Sequence, residues 1–373
     1  MSSSGTAGIS ADNLGGLDYE LEAARLGPPV VPIVDAHSHI HGEVASQIWR
    51  RAASLYGVRL VYTMSQIVQA DVVRESLGEM VRFIAMPSFW DADRERAFRI
   101  GYCEVIEQFA SRYGARMMKI WRSPAVRDVV PSLADARVGT TDLAEIDSPW
   151  CVEHARVAER CGMMIMVHVA DPDNWFAKKY NNPEKYGTKS FQYLGLERML
   201  DRFSCPWIAA HMGGWPENLA FLDGLLSRHP NLHLDTSAMR WIVRELSKHP
   251  TGEVSGFLIK WRGRIIFGSD IVTSDDHTRL DKQSKSTKAD QASSPEGAFV
   301  LYASRYWALR TLFETSHEGD ANIADPDLAM MEPERFTAMS SPPLRGLALP
   351  RELLSTIYSG AHDAVIDAWW RAH

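Results

Sequence analysis

The sequence predicts an α/β protein, a single-domain (β/α)₈ TIM barrel, and two observations carry this prediction. Apolar, strand-like segments alternate with helical segments along the chain, which is the pattern of repeated βα units around a parallel sheet. His or Asp residues also stand where several of these segments end, and parallel α/β barrels assemble their chemistry at the carboxyl ends of their strands. We therefore expect one barrel with its functional site at that end.

Eight segments have the composition of buried parallel strands. They cover residues 32–39, 59–64, 81–87, 116–121, 163–168, 207–211, 232–236 and 264–270. Stretches between them, such as 103–110 and 218–226, carry apolar residues at the spacing of helices that pack against a barrel. Eight such βα units complete a barrel.

The 373 residues predict one barrel domain over 30–373, preceded by a flexible segment over 1–29. Long irregular segments at 123–149, 171–195 and 273–297 each follow the carboxyl end of a strand. They are expected to overhang the mouth of the barrel, the third as a solvated loop or a lid. C-terminal helices are predicted over 297–316 and 353–370.

Composition narrows the class of protein. A hydrophobic content of 45% with 23% charged residues is ordinary for a globular enzyme. The net charge of -7, with no basic cluster, argues against nucleic acid or an anionic membrane as a partner. The sequence shows no signal-peptide pattern, no apolar run that could span a bilayer and no Cys-x-x-Cys pair, so we expect a cytoplasmic protein with reduced thiols and a small-molecule substrate.

The strongest functional pattern is a set of potential metal ligands at predicted strand ends. His37 and His39 are separated by one residue, so alternation along a strand sends both imidazoles to one side. His168 closes the fifth segment and Asp270 closes the eighth. Imidazoles and a carboxylate, with one open position, are typical of a catalytic divalent ion. We predict one such ion on these four residues, with Zn²⁺ expected and Mn²⁺ as the alternative.

Two residues are predicted to be catalytic. His211 closes the sixth segment, next to the strand of His168, where it can complete the metal shell or hydrogen-bond the substrate oxygen and a water. Asp270 can both contact the metal and accept the proton of that water.

These motifs resemble the amidohydrolase superfamily, specifically its amidohydrolase-related branch. The resemblance lies in Asp35-Ala-His37-Ser-His39, His168 after an apolar strand, His211-Met-Gly-Gly and Gly-Ser-Asp270. That branch includes aminocarboxymuconate-semialdehyde decarboxylase and several lactone and ring-fission-product hydrolases. The resemblance implies a mononuclear metal on His37, His39, His168 and Asp270, His211 as an acid/base that helps to activate water, and commonly a homodimer or higher homo-oligomer.

Three further residues near the motifs have more than one interpretation. Lys119 lies on the fourth strand, where other branches of the superfamily carry a carboxylated lysine, but it can equally bind a substrate carboxylate. His41 falls past the end of the first strand and is interpreted as a pocket or loop residue. Asp235 can orient a metal-bound imidazole or make an ordinary hydrogen bond at the barrel mouth.

Aromatic and cationic residues give the predicted substrate class. Five tryptophans fall shortly beyond the ends of the third to seventh strands, namely Trp90, Trp121, Trp175, Trp215 and Trp241. Together they predict an aromatic-lined, water-excluding pocket. Arg122 and Arg240 stand beside two of them and offer planar donors to a carboxylate. The expected substrate is a small, carboxylate-bearing or aromatic-derived ester, lactone or amide.

The sequence favours a metal-dependent hydrolase. A non-oxidative decarboxylase on the same site is the first alternative, because Lys119, Arg122 or Arg240 could anchor a carboxylate near the ion. A non-catalytic barrel that only binds a ligand is the second alternative, and the full set of ligand residues argues against it.

Overall fold

A computed structural model describes residues 9–284 and 288–373, and these residues contain a barrel of eight parallel strands. The strands are β1 (Ile33–His39), β2 (Val58–Thr63), β3 (Val81–Phe83), β4 (Met117–Trp121), β5 (Met164–His168), β6 (Trp207–Ala209), β7 (Leu232–Asp235) and β8 (Ile265–Ile266). Parallel pairing joins β3, β2 and β1 in one sheet and β4 to β8 in the other.

Backbone hydrogen bonds at two junctions close the sheets into one ring. The N–H of Ala85 donates to the Met117 carbonyl at 2.9 Å, and the N–H of Lys119 donates to the Ala85 carbonyl at 2.8 Å, which joins β3 to β4. The N–H of Ala36 donates to the Phe267 carbonyl at 2.9 Å, which joins β1 to the end of β8. A short strand, β9 (Ile271–Val272), extends this second junction by pairing with β1. The predicted (β/α)₈ barrel is confirmed.

Helices cover the outside of the barrel and extend its C-terminal end. The α-helices are α1 (Tyr19–Leu26), α2 (Glu43–Leu55), α3 (Ala70–Leu77), α4 (Arg94–Ala97), α5 (Ile100–Tyr113), α6 (Val126–Val129), α7 (Pro149–Arg160), α8 (Asp173–Lys178), α9 (Pro183–Tyr186), α10 (Lys189–Arg202), α11 (Ala210–Gly213), α12 (Leu219–Arg228), α13 (Met239–Leu246), α14 (Thr251–Lys260), α15 (Pro295–Glu314), α16 (Pro326–Met331), α17 (Arg351–Ser355) and α18 (Ala368–Ala372). Single turns of 3₁₀ helix lie at Ile67–Gln69, Gly78–Met80, Pro131–Leu133, Asp275–Thr278 and Ala289–Gln291, and π-helical turns at Thr356–Gly360 and Asp363–Asp367. A hairpin of β10 (Glu318–Asp320) and β11 (Pro343–Arg345) follows α15.

The structure differs from the sequence prediction in the segment after β5. Residues 171–195 were expected to be irregular, but they contain α8, α9 and the start of α10. Each of the last two has a side-chain N-cap, Asn182 for α9 and Thr188 for α10. Capping satisfies backbone donors at a helix start, so these polar residues begin helices where their composition had suggested a loop.

Apolar side chains fill the barrel interior, and the C-terminal helices cover one end of it. Val34, Met164 and Ile208 are fully buried there, and Ile366 from the last helical segment packs into the same cluster. The indole of Trp369 donates to the carbonyl of Gly162, just before β5, at 2.9 Å. Because this contact lies at the amino ends of the strands, the opposite end of the barrel is left for the functional site.

The described part of the N-terminal segment packs against the domain. Residues 1–8 of the predicted flexible segment lie outside the described residues. From residue 9 onward, Asp12 and Asn13 are buried, and α1 packs on α15. The side chain of Asn322 donates to the Asn13 side-chain oxygen at 2.9 Å.

The structure also bears on the membrane and cysteine predictions. Among residues 9–284 and 288–373, no helix combines the length and the apolar character that crossing a bilayer requires. All four cysteines, Cys103, Cys151, Cys161 and Cys205, carry free thiols.

Candidate active site

The turns at the carboxyl ends of the strands contain an unusual backbone conformation. His211, Met212, Ala238 and Asp270 have φ angles of 59°, 49°, 65° and 59°, in the left-handed region that residues with a Cβ seldom adopt. Such conformations persist only where the surrounding structure fixes them, and they concentrate at functional sites. These turns place the side chains of His211 and Asp270 at the mouth of the barrel.

Gly268 permits a close approach between β8 and β1. A Cβ at this position would lie 2.9 Å from the Cβ of His37, closer than two side chains pack. The backbone beyond it is tied to β1, because the N–H of Asp270 donates to the carbonyl of His37 at 2.7 Å. A glycine at position 268 therefore allows the chain to bring the Asp270 carboxylate beside the histidines of β1.

Three of the four predicted metal ligands come together. The Oδ1 atom of Asp270 lies 3.4 Å from Nε2 of His37 and 3.3 Å from Nε2 of His39. Ligands held about 2.0–2.1 Å from a tetrahedral ion lie roughly 3.3 Å from one another. The spacing of this cluster therefore fits a divalent ion bound by two nitrogens and one oxygen.

The protonation states of the cluster suit metal binding. Burial lowers the pKa of His39 to about 4, so its imidazole is neutral at pH 7. Burial alone would raise the pKa of Asp270, but the hydrogen bond from His39 and the neighbouring imidazoles hold it well below its usual range. A neutral imidazole and an ionised carboxylate are the forms that coordinate a cation.

Hydrogen bonds fix the orientation of the His37 ring. Its Nδ1–H donates to Oδ2 of Asp235 at 2.7 Å, a contact that is compatible with both interpretations of Asp235 given above. The Nε2 lone pair is left to accept, and it accepts from Nζ of Lys119 at 2.8 Å. Burial lowers the pKa of Lys119 to about 8. The same Nε2 lone pair is the proposed metal ligand, so Lys119 has to give up this hydrogen bond when an ion binds.

Asp235 is expected to control metal affinity through His37. The variant Asp235→Asn replaces the acceptor of the Nδ1–H bond with an amide and should weaken metal binding by about 10–100-fold. Titration against a competing chelator measures the affinity, and thermal unfolding checks that the variant is folded. Asp320→Asn, at an exposed position on β10, is the matched control. Unchanged affinity in Asp235→Asn would contradict the role of this bond.

His168 lies next to the cluster and contacts it through His211. The Nδ1 atom of His168 is 3.1 Å from Nε2 of His211, and its Nε2 atom is 3.1 Å from Oδ1 of Asp171. The other nitrogen of His211, Nδ1, is 2.7 Å from the hydroxyl of Ser237. His168 is thus outside the group of three close ligand atoms formed by His37, His39 and Asp270, and its place as a metal ligand stays a prediction.

A cavity of about 280 Å³ opens on this site. Its wall includes His168, His211 and Asp270 together with Trp175 and Trp241. An apolar cavity of about 150 Å³ accommodates benzene. The volume therefore suits a substrate with a single ring and a few substituents.

Some of the predicted substrate-binding residues line the cavity, and others do not. Trp175, Arg240 and Trp241 line the cavity. Trp121 packs edge-to-face on Phe89, with its ring centre 6.5 Å from that of His168.

Three other predicted substrate-binding residues, Trp90, Arg122 and Trp215, are not among the residues that line the cavity, so the five tryptophans do not all border it. Trp90 is 57% exposed, and Trp215 stacks on Tyr193. The guanidinium of Arg122 is buried and donates to Cys151 and to the carbonyl of Trp121, because the chain turns it into the layer behind the cavity. A position just beyond a strand does not fix the direction of a long side chain.

Several site residues have only weak signals in the sequence. Asp171 follows His168 by three residues, and Ser237 follows Asp235 by two, so both could have been found by extending the search beyond each strand end. Arg305 lies in the middle of α15 and also lines the cavity. Its position in the sequence gives no indication of this.

No family model matches the chain, and no curated protein matches it. Solved structures that resemble it include 2,6-dihydroxybenzoate decarboxylase from Rhizobium, at 13% identity, with a TM-score of 0.38 over 75% of this chain and 99% of the other. A dihydroxybenzoic acid decarboxylase from Polaromonas sp. JS666, solved with manganese and 2-nitroresorcinol, has 11% identity and a TM-score of 0.40 over 73% and 97%.

A third similar structure is a probable 2-pyrone-4,6-dicarboxylic acid hydrolase from Acinetobacter baumannii with bound citric acid. It has 12% identity and a TM-score of 0.39 over 64% of this chain and 84% of the other. Both reaction types that the sequence left open therefore occur among the similar structures. At these identities and scores the likeness adds nothing to the geometry described above.

Proposed function

We propose that the protein is a metal-dependent enzyme that removes CO₂ from a small, single-ring organic acid without oxidation. The observation that carries the proposal is the cluster of His37, His39 and Asp270 at the open end of the barrel, with a cavity of the size of one substituted ring beside it. The ion would be divalent, with zinc and manganese as candidates.

Lys119 supports a substrate that carries a carboxylate next to the metal. Its side chain is buried and donates to His37, and no carboxylate in the described part of the chain forms an ion pair with it. Asp270 and Asp235 attract the ammonium group of Lys119 without contacting it, so a ligand carboxylate in direct contact would stabilise the charged form further. A substrate carboxylate at this position would be attracted by both Lys119 and the ion.

The residues around the cluster and the cavity contribute positioning and charge to the reaction. When bound, the ion supplies a Lewis acid that polarises the substrate oxygens. The ion on the cluster and Lys119 would hold the carboxylate. Trp175 and Trp241, which line the cavity together with Asp270, would hold the ring and exclude water. The bond between the ring carbon and the carboxylate then breaks, its electron pair stays on the ring carbon, CO₂ leaves, and that carbon takes up a proton that comes from solvent water.

Hydrolysis, which the sequence favoured, is the second candidate. The ionised Asp270 beside the cavity is a suitable acceptor for a proton from water. The arrangement of His211 weighs against this candidate, because both of its ring nitrogens are engaged, with His168 and Ser237. In this conformation His211 has no free nitrogen to offer a water or a leaving group.

A substrate screen in labelled water separates the two reactions. The panel contains aromatic acids with an oxygen next to the carboxylate, together with lactones, esters and amides of similar size. Release of CO₂ with solvent deuterium on the ring carbon is expected. Incorporation of oxygen-18 from water into a product carboxyl group would overturn decarboxylation in favour of hydrolysis. An absence of turnover by the metal-loaded protein across the panel would count against both.

A further inference from the structure

We infer that Arg240 and Arg305 form a second anion-binding position in the cavity, so that the substrate is a single-ring acid with two acidic groups. This inference rests on the proposed function for the first acidic group, which lies at the metal. Arg240 follows β7 and Arg305 lies on α15, and both line the cavity that also contains Asp270 and His211.

The N-terminal segment holds the two arginines in place. The Oδ1 atom of Asp12 accepts from Nη2 of Arg240 at 3.0 Å and from Nη1 of Arg305 at 2.6 Å. The Asp12 side chain is almost fully buried. One carboxylate thus sits between two guanidinium groups, and the group as a whole keeps an excess of positive charge.

The two guanidinium groups have donors to spare. Each presents five N–H bonds, and Asp12 takes one nitrogen of each. The Nε atom of Arg240 is buried and has no hydrogen-bond partner among the described residues. A buried donor without an acceptor is costly, and a ligand oxygen would satisfy it.

Arg244, a third arginine in the cavity wall, shows how a neutralised guanidinium differs. It donates to Glu245 at 2.6 Å and also to Asp325 and Asp327. Three carboxylates therefore surround it, so this part of the wall carries an excess of negative charge. Of the three arginines in the wall, only Arg240 and Arg305 outnumber the carboxylate that they contact, Asp12.

The inference is tested by the binding of two probes, isophthalate and benzoate, which share a ring and differ by one carboxylate. Calorimetric titration of the full-length protein is expected to give at least tenfold tighter binding of isophthalate. Arg240→Gln and Arg305→Gln should each remove most of this preference while leaving benzoate affinity within twofold. Arg335→Gln, at an exposed arginine paired with Glu332, is the matched control.

Asp12→Asn distinguishes charge from a general effect on folding. Removing this negative charge should tighten isophthalate binding, whereas each arginine variant should weaken it. Effects of opposite sign within one hydrogen-bonded group cannot both arise from misfolding. Equal affinity for the two probes in the unaltered protein, an unchanged preference in Arg240→Gln, or a loss in Asp12→Asn as large as in Arg240→Gln would each overturn the inference.

Titrations with and without added metal keep this test separate from the proposed function. A preference for isophthalate in a protein that binds no metal and turns over no substrate would support the anion position while refuting the proposed enzyme. Metal binding and turnover without any preference would support the enzyme while refuting the second acidic group.

Discussion

His37→Ala is expected to reduce the bound metal from about one divalent ion per chain to less than a tenth of that amount, and to lower turnover by at least about 10³-fold. The reason is that Nε2 of His37 is one of three ligand atoms in the cluster, and Asp270 and His39 alone leave too few donors to hold an ion through dialysis. Elemental analysis of the dialysed protein gives the metal content directly.

The matched control for this experiment is His373→Ala, at an exposed histidine at the end of the chain, which should keep its full metal content. One ion per chain in His37→Ala would show that the cluster is not the metal site. Two ions per unaltered chain together with a modified Lys119 would contradict a mononuclear centre. His168→Ala, measured alongside, tests whether His168 turns from Asp171 and His211 toward the ion.

The barrel and the core of the site could be predicted because they depend on local patterns. His37 and His39 face the same way because a strand alternates, and Asp270 reaches them because adjoining parallel strands end at the same edge. The contact of Asp235 with His37 follows from the same rule. Each of these residues lies at the end of an element that the apolar pattern identifies.

The anion-binding position formed by Arg240 and Arg305 could not be predicted, because it depends on contacts between distant parts of the chain. Asp12 and Arg305 are separated by 293 positions, and neither lies at a strand end. Arg122 and Trp90 do follow strands, yet one is buried behind the cavity and the other faces solvent. Side-chain direction in a loop is set by tertiary packing, which a local pattern does not contain.

His211→Asn is expected to retain the metal and lose at least about 10²-fold in turnover, because His211 positions His168. The imidazole of His211 connects Ser237 to His168, and its ring centre is 5.0 Å from that of His37. Asparagine can still reach one of these partners but cannot join both. The ring of His168 would keep its contact with Asp171 but would be held less firmly at the cavity wall, beside the substrate.

The outcome also decides between two groupings of ligand atoms in the site. His37 and His211 lie close to Asp235 in a second set of three potential ligands. The hydrogen bond from Nδ1 of His37 to Asp235 uses a nitrogen that cannot bind the ion at the same time, which favours the set containing His39 and Asp270. If His211→Asn loses its metal as completely as His37→Ala, His211 is a ligand and this assignment is wrong. Retained metal with unchanged turnover would instead remove His211 from the catalytic machinery.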